Sequence, residues 1–310
     1  MRILVFGAGA TGGYFGGRLL EAGIDTTFFV RPARAAKLQQ TGLVIHSQYG
    51  DVSLPAPVAT QDAPGGPYDA VILSCKAYDL DSALSSLAVA VGPETPIIPV
   101  LNGMRHIDAI GKCFGAHRTL GGLCLISASL DAEGRVLHND KHSIVCGEPG
   151  GGTSPRMEAL AAAIEPAKME FRVSTDIVQE MWDKWVFLAP LAAVTCLMRS
   201  AVGDVVNAAG PDFSMRFVEE CRAVAAANGH PMAQTQITWI RTAVTNAASP
   251  IMASMMRDIE RGGPVEADHI VGDMIRRGGG AEALPLMQMA YLHLKAYEAR
   301  RARESARTGL

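Results

Sequence analysis

Three glycines near the N-terminus have the spacing G-x-G-x-x-G, which is found in loops that bind dinucleotide phosphates. A short apolar β run precedes them and a helical stretch follows, the context in which the motif is informative. Gly7 permits the tight turn, Gly9 lets the backbone approach a pyrophosphate, and Gly12 lets the helix pack closely on the strand. The first N–H groups of that helix would face the phosphates. The predicted dinucleotide site comprises Gly7, Ala8, Gly9, Ala10, Thr11 and Gly12. A glycine-rich turn without a ligand is the alternative.

The second predicted strand, residues 26–30, indicates which dinucleotide is bound. Chains that bind NAD place an acidic residue at the end of this strand, where it holds the ribose 2′-hydroxyl. This chain has Arg31 there and Arg34 close by, whereas Asp25 lies at the opposite end of the strand. Because a guanidinium suits a 2′-phosphate, the sequence favours NADP(H) over NAD. The alternative is that both arginines are ordinary surface charges in a loop.

One lysine lies in the middle of a helix that is apolar almost all round. The helix is predicted over residues 176–198, and Lys184 is surrounded along it by tryptophans and aliphatic residues. Burying an unpaired ammonium group is costly. Lys184 must therefore be paired, extend to the edge of the apolar surface, or take part in chemistry.

Four other polar residues occupy positions where chemistry is plausible. Lys76 and Asn102 come just after predicted parallel strands, at the ends where a cofactor's ribose and nicotinamide should lie. The alternatives there are a strand-end charge and a common Asn-Gly turn. Glu266 lies in the first turn of a predicted helix, where the helix dipole alone would stabilise an acid. His269 lies three residues later on the same face, as either a structural histidine or a pH-sensitive group.

Alternating strand and helix signals in the first half of the chain predict the elements that carry these residues. Short apolar runs typical of buried strands occur at 69–75, 96–101 and 121–127. Residues 136–146 indicate a hairpin that turns at the polar segment 139–142. Alternating βα units are typical of a doubly wound parallel sheet with ligands at the carboxyl ends of its strands.

The second half of the chain has helical signals only, and these begin after residue 173. We therefore predict the α/β class, with an N-terminal Rossmann-type doubly wound parallel sheet and a C-terminal all-helical domain. The expected domains are an NADP-binding domain at 1–173 and a helical substrate and catalytic domain at 174–310.

Composition restricts the partners and the compartment. A net charge of −3, with no basic block before the C-terminal tail, gives no electrostatic basis for nucleic-acid or membrane binding. The six cysteines lack metal-ligand spacing, so we expect reduced core thiols and no metal. The N-terminal apolar run is short and broken by glycines, unlike a signal peptide. The longest apolar stretch, 185–198, is too short to span a bilayer. We expect a cytoplasmic protein with a small-molecule partner. The sequence leaves open whether the protein forms a homodimer.

Taken together, these residues resemble the ketopantoate reductase (2-dehydropantoate 2-reductase) family over essentially the whole chain. That family uses NADPH to reduce a 2-keto acid to a 2-hydroxy acid in pantothenate biosynthesis, and the resemblance implies the same reaction class here. The order and spacing of the matching features are more specific than the glycine motif alone. These features are Gly7–Gly12, Arg31, Ser74–Lys76, Leu101–Gly103, Trp182–Lys184, Ser254, Met255, Asp258 and Glu266.

The resemblance implies a role for individual residues. Lys184 corresponds to the catalytic lysine, which protonates the carbonyl oxygen and so neutralises developing alkoxide charge. Glu266 corresponds to a glutamate that contacts the substrate hydroxyl or the cofactor ribose. Ser254 corresponds to the serine that binds the substrate carboxylate, and Asn102 to the asparagine near the nicotinamide and substrate. Ala128 corresponds to a backbone contact to the cofactor.

The chain departs from the family pattern beside the lysine. The family has asparagines four and eight residues after it, whereas this chain has Leu188 and Ala192, and a later polar contact falls near Val202. The proton donor is thus retained, whereas the neighbouring residues Leu188 and Ala192 are apolar. We expect a reductase of 2-dehydropantoate or of a more apolar carbonyl or imine substrate. A non-catalytic NADP-binding sensor is the third alternative.

Overall fold

The computed structural model describes residues 1–308, which form two compact units. The first unit comprises Met1–Leu101 and His106–Val178, and the second comprises Asn102–Arg105 together with the chain from Gln179 onward. Within the described residues, every strand lies before residue 174 and the chain beyond it is helical. The predicted fold class, a Rossmann-type parallel sheet followed by a helical domain, is confirmed.

Strands and helices alternate through most of the first part of the chain. Its elements are β1 (Ile3–Phe6), α1 (Ala10–Glu21), β2 (Thr26–Phe29), α2 (Pro32–Thr41), β3 (Leu43–Ser47), β4 (Val52–Leu54), β5 (Val58–Ala59), β6 (Ala70–Leu73), α3 (Leu80–Leu87), β7 (Ile97–Pro99), α4 (Arg105–Phe114), β8 (Gly121–Leu130), β9 (Val136–Gly147), α5 (Pro155–Ile164) and β10 (Glu170–Val173). The helical part follows. It comprises α6 (Ile177–Met198), α7 (Val202–Ala209), α8 (Pro211–Ala227), α9 (Gln234–Val244), α10 (Ser254–Glu260), a π-helical turn (Asp268–Gly272), α11 (Asp273–Arg277) and α12 (Pro285–Thr308).

The first sheet is parallel throughout and has the strand order β5-β2-β1-β6-β7. Successive residues of its central strand enter different cores. Ile3 and Val5 pack with residues of α1, whereas Leu4 packs with residues of α3 and α4. Both faces of the sheet are therefore covered, as a parallel sheet requires.

A second sheet, absent from the sequence prediction, has the order β10-β9-β3-β4, with β8 paired to β9. The predicted hairpin across 139–142 is wrong, because β9 continues through this segment and pairs antiparallel with β8. The pairing register shifts between Ile126 and Ser127 of β8, and Asp140 of β9 has a φ of +68°. The polar segment is thus a bulge, and polar residues at a bulge give the same sequence signal as those in a turn.

Helix α1 packs closely against both sheets because glycines line two of its faces. A Cβ atom on Gly16 would lie 2.5 Å from the ring of Phe28 in β2. One on Gly17 would lie 2.4 Å from Ile45 in β3. Side chains at these two positions would push the helix away from one sheet or the other. The glycines therefore allow α1 to lie close to both sheets.

Helix α6 is, among the described residues, the one helix long and apolar enough to cross a membrane by length and composition. The apolar stretch 185–198, which we expect to be too short to span a bilayer, is the C-terminal part of this longer helix. In its most apolar 18-residue window, 67% of the residues are buried within the protein. Helix α6 is therefore a largely buried helix.

The cysteines fit the expectation of core thiols in part. Cys124, Cys146, Cys196 and Cys221 are buried, whereas Cys113 is exposed. Burial raises the pKa of the Cys146 and Cys196 thiols to about 12, so these two side chains are unreactive.

Candidate active site

The glycine turn between β1 and α1 depends on two of its glycines for its shape. Gly7 has a φ of +96°, which residues with side chains rarely adopt. A Cβ atom on Gly12 would lie 2.2 Å from the carbonyl oxygen of Gly7 and 2.1 Å from Ser74 Oγ. By contrast, nothing lies within 4 Å of a Cβ placed on Gly9. The fold therefore requires Gly7 and Gly12, whereas Gly9 leaves open space beside the turn.

The N-terminus of α1 borders that open space and suits an anion. Gly9 is the residue before the helix and has no side chain with which to cap it. The first turn carries no acidic residue. The initial N–H groups and the positive end of the helix dipole are therefore available to phosphate oxygens.

Three adjacent strand ends of the first sheet carry sequence-predicted cofactor residues. Phe29, Phe6 and Leu73 are register neighbours at the carboxyl ends of β2, β1 and β6. Arg31 follows the first of these strands and Lys76 the third, with the glycine turn between them. The structure thus brings these three features to one edge of the sheet.

Arg31 and Arg34 differ in their surroundings. The Arg31 side chain is 75% exposed, and its Nη2 lies 2.8 Å from Asp79 Oδ1. Such an exposed ion pair contributes only about 0–1 kcal/mol, so it competes weakly with a bound phosphate. Arg34 donates from Nε to the carbonyl oxygen of Ala8 at 3.2 Å and from Nη2 to that of Gly134 at 3.1 Å. Arg34 therefore supports the glycine turn, a role the sequence did not indicate.

In the second unit, Lys184 and Asn102 are joined directly. Lys184 Nζ donates a hydrogen bond to Asn102 Oδ1 at 2.9 Å, and both residues are half-buried. The sequence leaves three alternatives open for Lys184, and this contact shows that its ammonium group is paired. The amide acceptor directs the ammonium group while adding no charge of its own.

The His269 side chain lies against the Asn102-Gly103 turn. Its ring is hydrogen-bonded to the backbone of Asn102, and a Cβ on Gly103 would lie 3.1 Å from its Cδ2. His269 is 4% exposed, and burial is the main reason its pKa lies below the usual value, against the opposing influence of Glu266 and Asp273. The ring is therefore neutral near pH 7. The sequence marked His269 as a possible structural residue but gave no signal that it would contact Asn102.

The two remaining predicted substrate residues, Glu266 and Ser254, both lie in the second unit. Glu266 is 7% exposed and lies two residues before the π-helical turn. Ser254 is exposed and begins α10. The preceding residue, Ala253, donates its N–H to Thr195 Oγ1 at 3.4 Å. Thr195 comes eleven residues after Lys184, about three helical turns, so both project from the same face of α6.

The two positions where the chain departs from the family pattern differ in exposure. Leu188 is half-buried and lies one turn after Lys184 on the same face of α6. Ala192 is 1% exposed and belongs to the interior. Of these two positions, Leu188 is thus the partly exposed one.

Ala128 lies in the second sheet rather than at the strand ends of the first. It is half-buried on β8, opposite His138 of β9, and packs against the core that contains Tyr14 and Phe15 of α1. The structure places it beside the helix that follows the glycine turn, but in a different sheet from the strands that precede Arg31 and Lys76.

Comparison with known proteins gives consistent results over nearly the whole chain. The family model described as ketopantoate reductase PanE/ApbA matches residues 3–151, and the model of its C-terminal part matches residues 176–298. The uncharacterized oxidoreductase YkpB of Bacillus subtilis (strain 168) is 36% identical over 302 residues, which cover 96% of this chain and 99% of that protein.

Two solved structures share the fold. The crystal structure of 2-dehydropantoate 2-reductase from Methylococcus capsulatus has a TM-score of 0.86 and 26% identity, and covers 97% of this chain and 98% of its own. The ternary structure of D-mandelate dehydrogenase with NADH and anilino(oxo)acetate has a TM-score of 0.87 and 21% identity. It covers 97% of this chain and 100% of its own, and at this identity the likeness concerns the fold alone.

Proposed function

Because this chain belongs to the ketopantoate reductase PanE/ApbA family, we propose that it is an NADPH-dependent reductase that converts a 2-keto acid to a 2-hydroxy acid. The observation that carries this proposal is the 2.9 Å hydrogen bond from Lys184 Nζ to Asn102 Oδ1. It directs an ammonium group, the natural donor for a carbonyl oxygen that gains negative charge. Dependence on a nicotinamide dinucleotide follows from the family, whereas the preference for NADPH and the residue roles are ours.

The glycine turn fits the phosphates of a dinucleotide. The positive φ of Gly7 and the close approach of Gly12 form the turn, and the open space at Gly9 leaves room beside the first N–H groups of α1. When bound, NADPH supplies a hydride to the carbonyl carbon. The residues proposed to hold it are Gly7, Ala8, Gly9, Ala10, Thr11, Gly12, Arg31, Lys76, Asn102 and Ala128.

The side chains of the second unit then supply the proton and hold the substrate. Lys184 protonates the carbonyl oxygen, a contribution of about 10²–10⁴ in rate for a typical general acid. Asn102 accepts a hydrogen bond from Lys184 and keeps the ammonium in one direction. Ser254 binds the substrate carboxylate, and Glu266 accepts a hydrogen bond from the substrate hydroxyl or the cofactor ribose.

A panel of 2-keto acids, with NADPH oxidation followed by its absorbance, tests the proposal. We expect turnover with at least one member, and we expect Lys184→Ala to lose turnover but still bind NADPH. Tight NADPH binding with no turnover on any carbonyl compound would favour the sensor instead.

Leu188 favours a substrate more apolar than 2-dehydropantoate as a second candidate. A site that hydrogen-bonds a substrate hydroxyl rejects analogues without it by roughly 10⁴–10⁵, whereas an apolar wall imposes no such penalty. We expect the kcat/KM ratio of 2-dehydropantoate to 2-ketoisovalerate to lie well below that range. Leu188→Asn should raise the ratio, and Leu188→Ala, which removes bulk without adding an amide, should not. A ratio near 10⁴ in the unmutated protein would show that another residue binds the hydroxyl.

We further propose that the protein works in the cytoplasm on small molecules, without a nucleic-acid or membrane partner. The buried thiols and the burial of α6 support this location. A homodimer is the assembly to test, by sedimentation of the full chain.

A further inference from the structure

The catalytic lysine's acceptor, Asn102, is a residue with contacts at both its side chain and its backbone. Its Oδ1 accepts from Lys184 Nζ at 2.9 Å. Its backbone is hydrogen-bonded to the ring of His269, and this contact favours the protonated ring nitrogen. The backbone partner is therefore the carbonyl oxygen, and the imidazole N–H donates to it. Asn102 thus lies between the lysine and the histidine.

The residue after Asn102 is shaped to fit against the same histidine. Gly103 has a φ of +80°, and a Cβ there would lie 3.1 Å from His269 Cδ2 and 3.1 Å from its carbonyl oxygen. The same Cβ would lie 3.6 Å from His269 Nε2, so this ring nitrogen faces the turn. The imidazole edge therefore fills the space that a side chain at position 103 would need, in addition to its hydrogen bond with Asn102.

His269 itself lies in an unusual segment that is tied to the lysine's helix. The π-helical turn that contains it is a rare conformation, often found at functional sites. Trp185, the residue after Lys184, donates from Nε1 to the carbonyl oxygen of Ile270 at 3.0 Å. The contacts thus form a closed ring that runs from Lys184 to Asn102, to His269 and Ile270, and back through Trp185.

Burial leaves the His269 ring neutral near pH 7, because it holds the pKa below the usual value. Burial is the largest influence and lowers the pKa, as does Arg105, while Glu266 and Asp273 oppose them. A neutral imidazole has one N–H group. Its use on the Asn102 carbonyl suits a role in holding the turn rather than in transferring a proton to substrate.

We infer that His269 is a positioning residue for the proton donor, because its N–H fixes the Asn102 backbone and so aims the Asn102 amide oxygen at Lys184. This inference rests on the proposed role of Lys184. A small displacement of the Asn102 amide would misdirect the Lys184 ammonium group. A misplacement of about 1 Å is enough to lower the rate roughly a hundredfold.

Two substitutions in the full chain separate positioning from packing. His269→Phe keeps an aromatic ring and removes the N–H, whereas His269→Gln places an amide N–H near the position of Nε2. We expect His269→Phe to lower kcat by about tenfold or more while the Kd for NADPH changes much less than kcat, and His269→Gln to recover most of the loss. Val271→Ala is the matched control, because it removes buried atoms from the same π-helical turn and leaves the imidazole in place.

Hydrogen–deuterium exchange of the segment 100–106 gives a readout that needs no substrate. His269→Phe should speed exchange there, and His269→Gln should restore protection. If the unmutated protein reduces no 2-keto acid, the proposed function fails, and the exchange result still decides whether His269 holds the turn. Unchanged exchange and kcat in His269→Phe would overturn the inference. So would a His269→Gln variant as impaired as His269→Phe, because packing would then explain both.

Discussion

The two regions to which we assign the chemistry are built in opposite ways. The glycine turn of the first unit consists of consecutive residues, and its shape is set by backbone angles and close approaches, as at Gly7 and Gly12. The lysine region of the second unit joins side chains that are far apart in sequence, as in the contact of Lys184 with Asn102. A site made of consecutive backbone groups tolerates changes at its variable positions. A site assembled from distant side chains can be damaged by substitutions outside it.

The largest effect should come from the lysine. Lys184→Ala removes the proposed proton donor and leaves Asn102 Oδ1 without this partner, so kcat should fall by about 10²–10⁴. Affinity for NADPH should change little, since the phosphates are assigned to the glycine turn. Steady-state kinetics and fluorescence titration with NADPH measure the two quantities separately.

Lys184→Arg is the control for charge. It keeps a cation but does not release a proton near neutral pH, so its kcat should be almost as low as that of the alanine variant. Substantial turnover in Lys184→Ala would mean that another group donates the proton. High activity in Lys184→Arg alone would mean that charge, and not proton transfer, is what the lysine contributes.

The next largest effect concerns the cofactor. Arg31→Ala removes the proposed charge-assisted contacts to the 2′-phosphate, each about 1.5–3 kcal/mol, so NADPH should bind roughly ten- to a hundredfold more weakly. NADH, which lacks that phosphate, should bind as before. Asp79→Ala is the matched control, because it releases Arg31 from its ion pair and should leave NADPH binding equal or stronger. Equal affinity of the unmutated protein for the two cofactors would contradict the assignment.

Substitutions of single glycines test whether the glycine turn binds phosphates. Gly12→Ala brings a Cβ within 2.2 Å of the Gly7 carbonyl oxygen, so it should destabilise the fold by about 1–3 kcal/mol as well as weaken NADPH binding. Gly9→Ala meets nothing within 4 Å, so the melting temperature should hold while NADPH affinity falls. Thermal unfolding with and without NADPH distinguishes them. A Gly9→Ala protein that binds NADPH normally would argue against phosphates at this turn.

This contrast explains what could be read from the sequence. The parallel sheet, the helical second part and the glycine turn follow from local patterns, because each depends on residues close together in the chain. The bulge at 139–142 has the sequence signal of a turn because both use the same polar residues. The contact of His269 with Asn102 left no local signal, since it depends on how a π-helical turn packs. Lys184 stood out only because a lysine is unusual in an apolar helix.

The smallest expected effect is the pH dependence of stability, and it arises in the first unit. His138 is 2% exposed, and burial is the largest cause that lowers its pKa and that of His142 below the ordinary value of 6.5. Their neutral forms are held by hydrogen bonds. His138 Nδ1 lies 2.9 Å from Ser47 Oγ, and His142 Nδ1 lies 2.8 Å from the Tyr14 hydroxyl.

Because the folded protein has the lower pKa values, the unfolded chain binds more protons just below pH 6.5. The free energy of unfolding should therefore be constant above that pH and decrease as the pH falls through 6.5 toward the folded values. Thermal unfolding between pH 7.5 and pH 5 measures this, with circular dichroism for the whole chain. The double variant His138→Gln/His142→Gln should have a smaller decrease, whereas His117→Gln, at an exposed position, should keep the decrease of the unmutated protein. A double variant with an unaltered slope would place the acid sensitivity outside this pair, with the buried His269 of the second unit as the next histidine to replace.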